Sequence, residues 1–225
     1  MSASPPSTVY LLDVDNTLLD NDRVVDDLHA FLKREFGGAC RDQFAAILEE
    51  RRATLGYVDY LGTLQEWRRQ QPMDMRLMSV SHFLLRYSFA SKLYPQALEV
   101  VSHLGRSGRT VILSDGDVVF QPYKVARAGL ASAVDQRVLI YVHKEAMLDD
   151  VARRHPADHY VLIDDKPRIA AAVKQRWGDR VTTILPRQGH YANAADAASH
   201  RPAADIVVER IGDMLDLELG RSTGC

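Results

Sequence analysis

The sequence predicts an α/β fold in which a mostly parallel sheet carries helices on both faces and a small all-helical segment interrupts the sheet after its first strand. Short apolar runs without polar alternation recur along the chain, as is typical of strands buried on both faces. Segments with helical apolar spacing separate most of these runs, which favours right-handed β-α-β connections and parallel pairing. Residues 20–91, in contrast, carry helical spacing alone.

The first apolar run, Val9–Leu12, leads directly into Asp13-Val14-Asp15-Asn16-Thr17. We expect a buried strand with Asp13 at its carboxyl end, which is the edge where open α/β sheets bind ligands. A calcium loop is excluded, because an EF-hand that starts at Asp13 needs glycine at Leu18 and glutamate at Val24. Two interpretations of this stretch remain, a structural Asx turn and an active-site loop.

Four helices are expected in residues 20–91, because apolar residues recur there at helical spacing. They are predicted up to Gly37-Gly38, from about Arg41 to Leu55, from about Val58 to Gln70, and onward from near Pro72, a favourable first-turn residue. Residues 20–91 would form a small helical domain, and residues 1–19 and 92–225 would form the α/β core.

Strands and helices alternate in the rest of the chain. Further strands are predicted at Arg109–Leu113, Val138–Val142, His159–Ile163, Val181–Leu185 and Ile206–Val208. Helices are expected around Ala97–Leu104, from Pro122 to Gly129, from about Glu145 to Arg154, from Pro167, and after Val208. The alanine-rich stretch Gln188–Ala204 is expected to be a long loop over the edge of the sheet. This order predicts a Rossmann-like core.

Composition is that of an ordinary globular protein, with 46% apolar and 26% charged residues among 225. Lys and Arg total 28 against 30 for Asp and Glu, so no positive field favours nucleic acid. Cys40 and Cys225 fit neither a disulfide framework nor a zinc site. Because the N-terminal residues also lack an apolar signal core and no run is long enough to span a membrane, we expect a cytoplasmic protein.

Polar side chains follow four of the predicted strands at one edge of the sheet. They are Asp13 and Asp15 after the first strand, Ser114 after the second, Lys144 after the third, and Asp164 and Asp165 after the fourth. Each has an ordinary alternative, such as a helix N-cap for Ser114 or a solvated surface position for Lys144.

Electrostatics favours a joint role for these groups. Two like charges about 4 Å apart repel by about 4 kcal/mol at an effective dielectric constant near 20. Four carboxylates at one edge therefore require protons or cations, and a divalent ion together with Lys144 supplies three positive charges. Because all the ligands are oxygen atoms, a hard ion is favoured, and Mg²⁺ is predicted.

These motifs resemble those of the haloacid dehalogenase-like (HAD) hydrolase superfamily. Asp13-Val14-Asp15-Asn16-Thr17 is similar to its DxDx(T/V) first motif, Ser114 to the second, Lys144 to the third and Asp164-Asp165 to the fourth. The helical insert falls where this family places a type-1 cap. Lys124 also follows Ser114, so the lysine of the third motif stays open between Lys144 and Lys124.

The resemblance implies a role for each residue. Asp13 would be the nucleophile that forms an aspartyl-phosphate, and Asp15 would protonate the leaving oxygen and then activate water. Mg²⁺ would be held by the Asp13 carboxylate, the main-chain carbonyl of Asp15 and Asp164, with Asp165 in support. The phosphoryl oxygens would be held by Ser114, by Lys144 and by main-chain N–H groups around Asp115-Gly116.

These roles predict a Mg²⁺-dependent phosphomonoesterase that acts on a small phosphorylated metabolite. Asp15 favours a phosphatase over a dehalogenase, because halide leaves without a proton and family dehalogenases resemble DxY rather than DxD at this position. Phosphoryl mutase, phosphonatase and dehalogenase remain alternative activities. A phospho-accepting receiver-like module or a silent binding scaffold is an alternative of another class, although neither requires Asp15 or the helical insert.

Substrate choice is expected in the insert, which would close over the sheet edge and exclude water. Arg52, Tyr57 and Tyr60 lie around Gly56 between two predicted helices and are the candidate substrate contacts, with solvated helix ends as the alternative. Arg187 and His190, after the fifth core strand, could also approach the edge.

Overall fold

The computed structural model describes residues 8–70, 74–192 and 199–217. The expected helix start near Pro72, the middle of the Gln188–Ala204 stretch and Cys225 lie outside these residues. The strands within them are β1 (Thr8–Leu12), β2 (Arg109–Asp115), β3 (Val138–Tyr141), β4 (His159–Ile163), β5 (Val181–Pro186) and β6 (Ile206–Val208). They form one six-stranded sheet of order β3-β2-β1-β4-β5-β6, and every neighbouring pair is parallel. This order is that of a Rossmann-like fold.

Helices fill the connections between the strands. Between β1 and β2 lie α1 (Asn21–Phe36), α2 (Gly38–Leu55), α3 (Tyr60–Gln70), α4 (Leu77–Arg86) and α5 (Ala97–Gly105). The later helices are α6 (Phe120–Arg127), α7 (Leu130–Ala133), α8 (Leu148–Arg154), α9 (Pro167–Trp177) and α10 (Gly189–Ala192). Across the described ranges, none of these helices has the length and apolar character needed to cross a membrane.

Apolar side chains alternate between the two faces of the sheet, as the pleat of each strand requires. On one face, Tyr10 and Leu12 of β1 belong to a buried cluster with residues of α5 and α7. On the other face, Val9 and Leu11 belong to a second cluster with residues of α8 and α9. Burial of one such side chain contributes roughly 1.5–3 kcal/mol. The helices thus cover both faces, which confirms the predicted α/β class.

The four helices α1–α4 share their core with one face of the sheet. Leu28, Phe44, Trp67 and Leu84 are each at most 2% exposed and belong to the same cluster as Leu12. The rings of Phe44 and Trp67 meet edge to face, with centroids 5.5 Å apart. Because packing continues across the expected boundary, the division into a domain at 20–91 and a core stays a prediction.

Several element ends differ from the prediction. Gly37, with φ of 90°, ends α1 and Gly38 already begins α2, so the two helices meet without a linker. Lys144–Ala146 forms a 3₁₀ turn, and α8 therefore begins at Leu148 rather than near Glu145. The segment after β6 is a 3₁₀ helix at Ile211–Leu215. These differences leave the order of the elements unchanged.

The start of the Gln188–Ala204 stretch is helical rather than a loop. Its first residues form the one-turn helix α10, with Gly189 at φ 66°. The main-chain N–H of His190 donates to Asp22 Oδ2 at 3.0 Å, which holds α10 against the start of α1. The expected position of this segment near the sheet edge is therefore correct for Gly189–Ala192, and the expected loop conformation is wrong there.

Candidate active site

The carboxyl ends of β1 and β4 lie side by side, and this brings two of the predicted acids together. Leu12 pairs with Ile163 in the sheet, and Asp13 N then donates to the carbonyl of Ile163 at 3.0 Å. Asp164 follows Ile163 directly. Strand order reverses at β1, which has β2 on one side and β4 on the other. A crevice for ligands is expected at such a position.

Asn16 and Thr17 shape the turn after β1 and connect it to the β4 loop. Asn16 has φ of 61°, which asparagine tolerates, and its Oδ1 accepts from the N–H groups of Asn21 and Asp22 at 3.0 and 3.1 Å. Thr17 Oγ1 accepts from the main-chain N–H of Asp165 at 3.0 Å. Asn16 therefore satisfies two first-turn N–H groups of α1, and Thr17 fixes the Asp164-Asp165 loop against the first motif.

Three buried carboxylates form the centre of the site. Asp13, Asp164 and Asp165 are at most 1% exposed, and one carboxylate oxygen of each lies within 4.8 Å of the other two. Asp13 Oδ2 and both carboxylate oxygens of Asp165 have no hydrogen-bond partner in the described residues. Buried oxygen atoms without donors are costly unless a cation binds them. The three residues fit a hard divalent cation such as Mg²⁺ and would hold it.

This cluster contains two of the predicted metal ligands and the residue predicted to support them. Asp13 and Asp164 lie in it together, and an oxygen of Asp165 lies within 4.8 Å of both. The side chain of Asp15 is outside the cluster. The metal-binding role assigned to the main-chain carbonyl of Asp15 stays a prediction.

Lys144 is the cation that contacts these acids. Its side chain is fully buried, and Nζ donates to Asp13 Oδ1 and lies 2.6 Å from Asp164 Oδ2, an ion pair without hydrogen-bond geometry. Burial alone would lower the pKa of Lys144, but the carboxylates of Asp13 and Asp164 raise it well above its usual value. The ammonium group therefore stays charged and offsets part of the negative charge.

Burial dominates the titration of the acids. Burial, with a smaller contribution from Asp164, raises the pKa of Asp13 to about 6 against the opposing effect of Lys144. Burial, followed by Asp164 and Asp13, raises the pKa of Asp165 well above its usual value. Without a divalent cation the site therefore retains protons at a pH where exposed carboxyl groups are ionised.

The metal-free protein should accordingly lose stability as the pH rises through about 6. A carboxyl group with a raised folded-state pKa stabilises the fold below its unfolded pKa, and this contribution is lost as the pH passes the folded value. Asp13→Asn cannot titrate, so in EDTA at pH 7.5 we expect its Tm to exceed that of the wild type by at least ~2 °C. Thermal unfolding at pH 4 should show a much smaller difference. A variant less stable than the wild type at pH 7.5 would contradict this prediction.

Asp15 lies at the mouth of the site and pairs with the second candidate lysine. Lys124 Nζ is 2.7 Å from Asp15 Oδ1 and 2.8 Å from Oδ2, and its side chain is 3% exposed. Gln121 Nε2 donates to Asp15 Oδ2 at 3.3 Å and to Ser114 Oγ at 3.0 Å. The structure thus brings both lysines into the site, where Lys144 pairs with Asp13 and Lys124 pairs with Asp15. Gln121 was missed, although its three-residue spacing from Lys124 is a helical signal.

The second motif is arranged differently from the prediction. The N–H of Gly116 donates to the carbonyl of Tyr141 at 3.0 Å, because strand pairing with β3 extends past Asp115. This N–H therefore already has a partner, and its role toward phosphate stays a prediction. Ser114 is 1% exposed, and its hydroxyl donates to the carbonyl of Asp115 at 3.3 Å. Its role toward phosphate stays a prediction.

The carboxylate of Asp115 contacts two lysines, and the predicted role of its main-chain N–H toward phosphate stays a prediction. Its carboxylate accepts from the N–H of Lys144 at 3.0 Å and from Lys166 Nζ at 3.3 Å. Burial alone would raise the pKa of Asp115, but Lys144 and Lys166 outweigh it and lower the pKa. Lys166 is a site residue that the sequence analysis missed, and its signal was its position directly after Asp165.

A cavity of about 1110 Å³ extends from this edge of the sheet to the helical insert. The three predicted insert residues Arg52, Tyr57 and Tyr60 all line it. Tyr60 is 5% exposed, and burial raises its pKa above the usual value, so its hydroxyl keeps its proton. His190 also lines the cavity, whereas Arg187 pairs with Glu209 at 3.2 Å and is not part of the lining.

Tyr191 connects the insert with the core at this cavity. The guanidinium group of Arg52 contacts the hydroxyl of Tyr191, and Lys166 Nζ lies 5.6 Å from the centre of the same ring. The contacts that Arg52, Tyr57 and Tyr60 make with a substrate stay predictions.

Comparison with known proteins supplies the family. No protein-family model and no curated protein matches the chain. A solved structure of a haloacid dehalogenase-like hydrolase from Burkholderia xenovorans LB400 is 55% identical, covers 95% of this chain and 97% of its own, and has a TM-score of 0.90.

Two more distant solved structures show the fold alone. An L-2-haloacid dehalogenase from Xanthobacter autotrophicus with covalently bound chloropropionic acid is 19% identical, covers 96% of this chain and 100% of its own, and has a TM-score of 0.60. A HAD hydrolase from Bacillus subtilis bound to magnesium is 13% identical, covers 95% of this chain and 98% of its own, and has a TM-score of 0.57. The hydrolase from Burkholderia xenovorans is 55% identical and covers 95% of this chain. The chain therefore belongs to the haloacid dehalogenase-like hydrolase family.

Proposed function

We propose that this protein is a Mg²⁺-dependent phosphomonoesterase that acts on a small phosphorylated metabolite through an aspartyl-phosphate at Asp13. The observation that carries this proposal is the buried cluster of Asp13, Asp164 and Asp165, whose oxygens lie within 4.8 Å of one another and largely lack donors. A site of this kind suits a divalent cation and a substrate with several negative charges.

The chain's own residues account for the reaction. Mg²⁺, when bound by Asp13, Asp164 and Asp165, supplies positive charge that neutralises the phosphoryl oxygens. Asp13 attacks phosphorus through a carboxylate oxygen, the bond from phosphorus to the ester oxygen breaks, and Asp15 gives its proton to the leaving oxygen. Water then attacks the aspartyl-phosphate, Asp15 takes one proton from that water, and the bond between phosphorus and Asp13 breaks. The products are the alcohol and inorganic phosphate, and both acids return to their starting states.

Lys144 and Ser114 support this chemistry from buried positions at the sheet edge. Lys144 Nζ contacts Asp13 and Asp164, so its charge acts at the point where the phosphoryl group would be transferred. Ser114 Oγ is linked to the Asp15 carboxylate through Gln121 Nε2. We assign to both residues contacts with the phosphoryl oxygens.

Asp15 favours a phosphatase over a dehalogenase. Its carboxyl group lies at the cavity, 27% exposed, where a leaving group would depart. Displacement of halide by a carboxylate needs neither a proton donor at this position nor a cation against a polyanionic group. The dehalogenase from Xanthobacter autotrophicus shares the fold with this chain at 19% identity. The dehalogenase reaction is thus the second candidate.

Substrate assays distinguish the two reactions. We expect purified protein with Mg²⁺ to hydrolyse p-nitrophenyl phosphate, and EDTA to reduce turnover by at least ~10²-fold. Incubation with 2-chloropropionate should release no chloride. Chloride release without phosphate ester hydrolysis would overturn the proposal in favour of a dehalogenase. Phosphorylation of Asp13 without release of phosphate would indicate a receiver-like module.

Three broader assignments accompany this proposal. Residues 20–91 would act as the cap that closes over the cavity, since Arg52, Tyr57 and Tyr60 line it from that side. A small phosphate ester is the expected partner rather than nucleic acid, because the formal net charge is −2. The low cysteine content, two in 225 residues, suits a reducing cytoplasmic location.

A further inference from the structure

Lys124 occupies an unusual position for a lysine. Its side chain is 3% exposed, and its ammonium group contacts Asp15 Oδ1, Asp15 Oδ2 and, at 3.1 Å, Asn21 Oδ1. An ammonium group has three N–H donors, so these three acceptors satisfy it completely. A buried charge needs such partners, since its desolvation is costly. Lys124 is therefore committed to Asp15, and it would have to give up a partner to bind phosphate.

Gln121 holds the same carboxyl group from a second direction. It lies about one turn before Lys124 on α6, and its Nε2 bridges Asp15 Oδ2 and Ser114 Oγ. Lys124 and Gln121 together contact both carboxyl oxygens of Asp15. A partly exposed aspartate without these contacts is free to rotate about its side-chain bonds. Helix α6 thus restricts the direction in which the Asp15 carboxyl group faces the cavity.

The third acceptor of Lys124 belongs to the insert. Asn21 is the first residue of α1, and its N–H donates to Asn16 Oδ1 at 3.0 Å. Lys124 therefore lies where the turn after β1, helix α6 and the start of the insert meet.

We propose that Lys124, assisted by Gln121, is a positioning residue that orients Asp15 for proton transfer to the leaving oxygen and from the attacking water. This inference rests on the proposed phosphatase function and extends it to a residue whose ammonium group contacts Asp15 and lies outside the Asp13, Asp164 and Asp165 cluster. Asp15 gives its proton to the leaving oxygen in the first step and takes one from water in the second, and Lys124 keeps all of its protons in both steps.

A positioning role predicts a specific dependence on the leaving group. Phenolate is a poor leaving group and needs the proton from Asp15, whereas p-nitrophenolate leaves readily without it. The kcat/KM for each ester reports the phosphorylation of Asp13. In Lys124→Met we expect kcat/KM for phenyl phosphate to fall by at least ~10²-fold and that for p-nitrophenyl phosphate by less than ~10-fold.

Asp15 acts again in the second step, so the same variant should accumulate phosphorylated Asp13. Rapid mixing with p-nitrophenyl phosphate should give a burst of p-nitrophenol equal to the enzyme concentration. Asp15→Asn provides the reference pattern for both measurements. Lys124→Arg should recover part of the loss, because arginine keeps the charge and two donors for Asp15.

Lys174→Met is the matched control. Lys174 is also a partly buried lysine in an ion pair, 2.9 Å from Asp205, but it is not part of the cavity lining. Both kcat/KM values of this variant should stay within ~2-fold of the wild type. If circular dichroism shows that Lys124→Met is unfolded, Gln121→Leu is measured instead. We expect the same selective loss of kcat/KM for phenyl phosphate, with a smaller magnitude.

The outcomes separate the two proposals. An equal loss for both esters without a burst overturns the positioning role, because loss of a phosphate contact or of structure does not depend on the leaving group. Wild-type protein that hydrolyses neither ester in Mg²⁺ overturns the proposed function and, with it, the role of Lys124. An active wild type with a selective loss and a burst in the variant supports both.

Discussion

Asp13→Asn is expected to lower Mg²⁺-dependent hydrolysis of p-nitrophenyl phosphate by at least ~10⁴-fold while the protein remains folded. The neutral amide is a poor nucleophile toward phosphorus, and it is a weaker ligand for a hard cation than a carboxylate. The same replacement removes one charge from the buried cluster of Asp13, Asp164 and Asp165. Activity and metal-free stability should therefore change in opposite directions, as expected where a strained arrangement of charges is kept for function.

Asp135→Asn is a suitable control for this experiment. Its carboxyl side chain is 80% exposed and is not among the residues that line the cavity. The same chemical change there should leave kcat and Mg²⁺ dependence unaltered. Steady-state kinetics and a thermal unfolding curve on each variant suffice. Substantial turnover by Asp13→Asn would show that another group is the nucleophile.

Lys144→Met is expected to destabilise the metal-free protein by ~3–5 kcal/mol, because it leaves Asp13 and Asp164 buried without their cation. For a chain of this size the loss corresponds to a fall in Tm of roughly 6–20 °C. Mg²⁺ should restore part of the stability and should raise the Tm of this variant more than that of the wild type. The reason is that a bound cation supplies the missing positive charge.

A double variant tests whether the charge of Lys144 is the cause. Asp164→Asn removes one of the two carboxylates that Lys144 contacts, so Lys144→Met with Asp164→Asn should lose less stability than the sum of the single changes. Denaturant unfolding in EDTA measures the three values. Additive losses, or a change in Tm below ~2 °C for Lys144→Met alone, would show that Lys144 contributes through packing rather than through charge.

Local signals were sufficient for much of the fold. The bounds of β4 and β6 agree with the prediction, and α9 begins at Pro167, because apolar runs and a first-turn proline act within a few residues. The start of α8 and the conformation of α10 were not predictable in this way. They depend on contacts with distant residues, such as the one between His190 and Asp22.

Parallel pairing also accounts for the part of the site that was predictable. Once Val9–Leu12 and His159–Ile163 are strands of one parallel sheet, the residues after them lie at the same edge. The proximity of Asp13 and Asp164 follows from that geometry. Two adjacent strands are only about 4.8 Å apart, so the acids at their ends are necessarily close. Glycine and lysine positions around this edge carried less information, because their partners depend on how loops and helices pack.

The sequence by itself determined the α/β class, the order of its elements and the presence of an acidic site at one sheet edge, because hydrophobic periodicity and strand ends are local properties. Only the tertiary structure decided which charged groups meet there. It paired Lys144 with Asp13 and Lys124 with Asp15, used the Gly116 N–H in the sheet and brought Lys166 to Asp115. The physical reason is that ion pairs and hydrogen bonds act over a few ångströms, and such distances between residues far apart in the chain are set by packing alone.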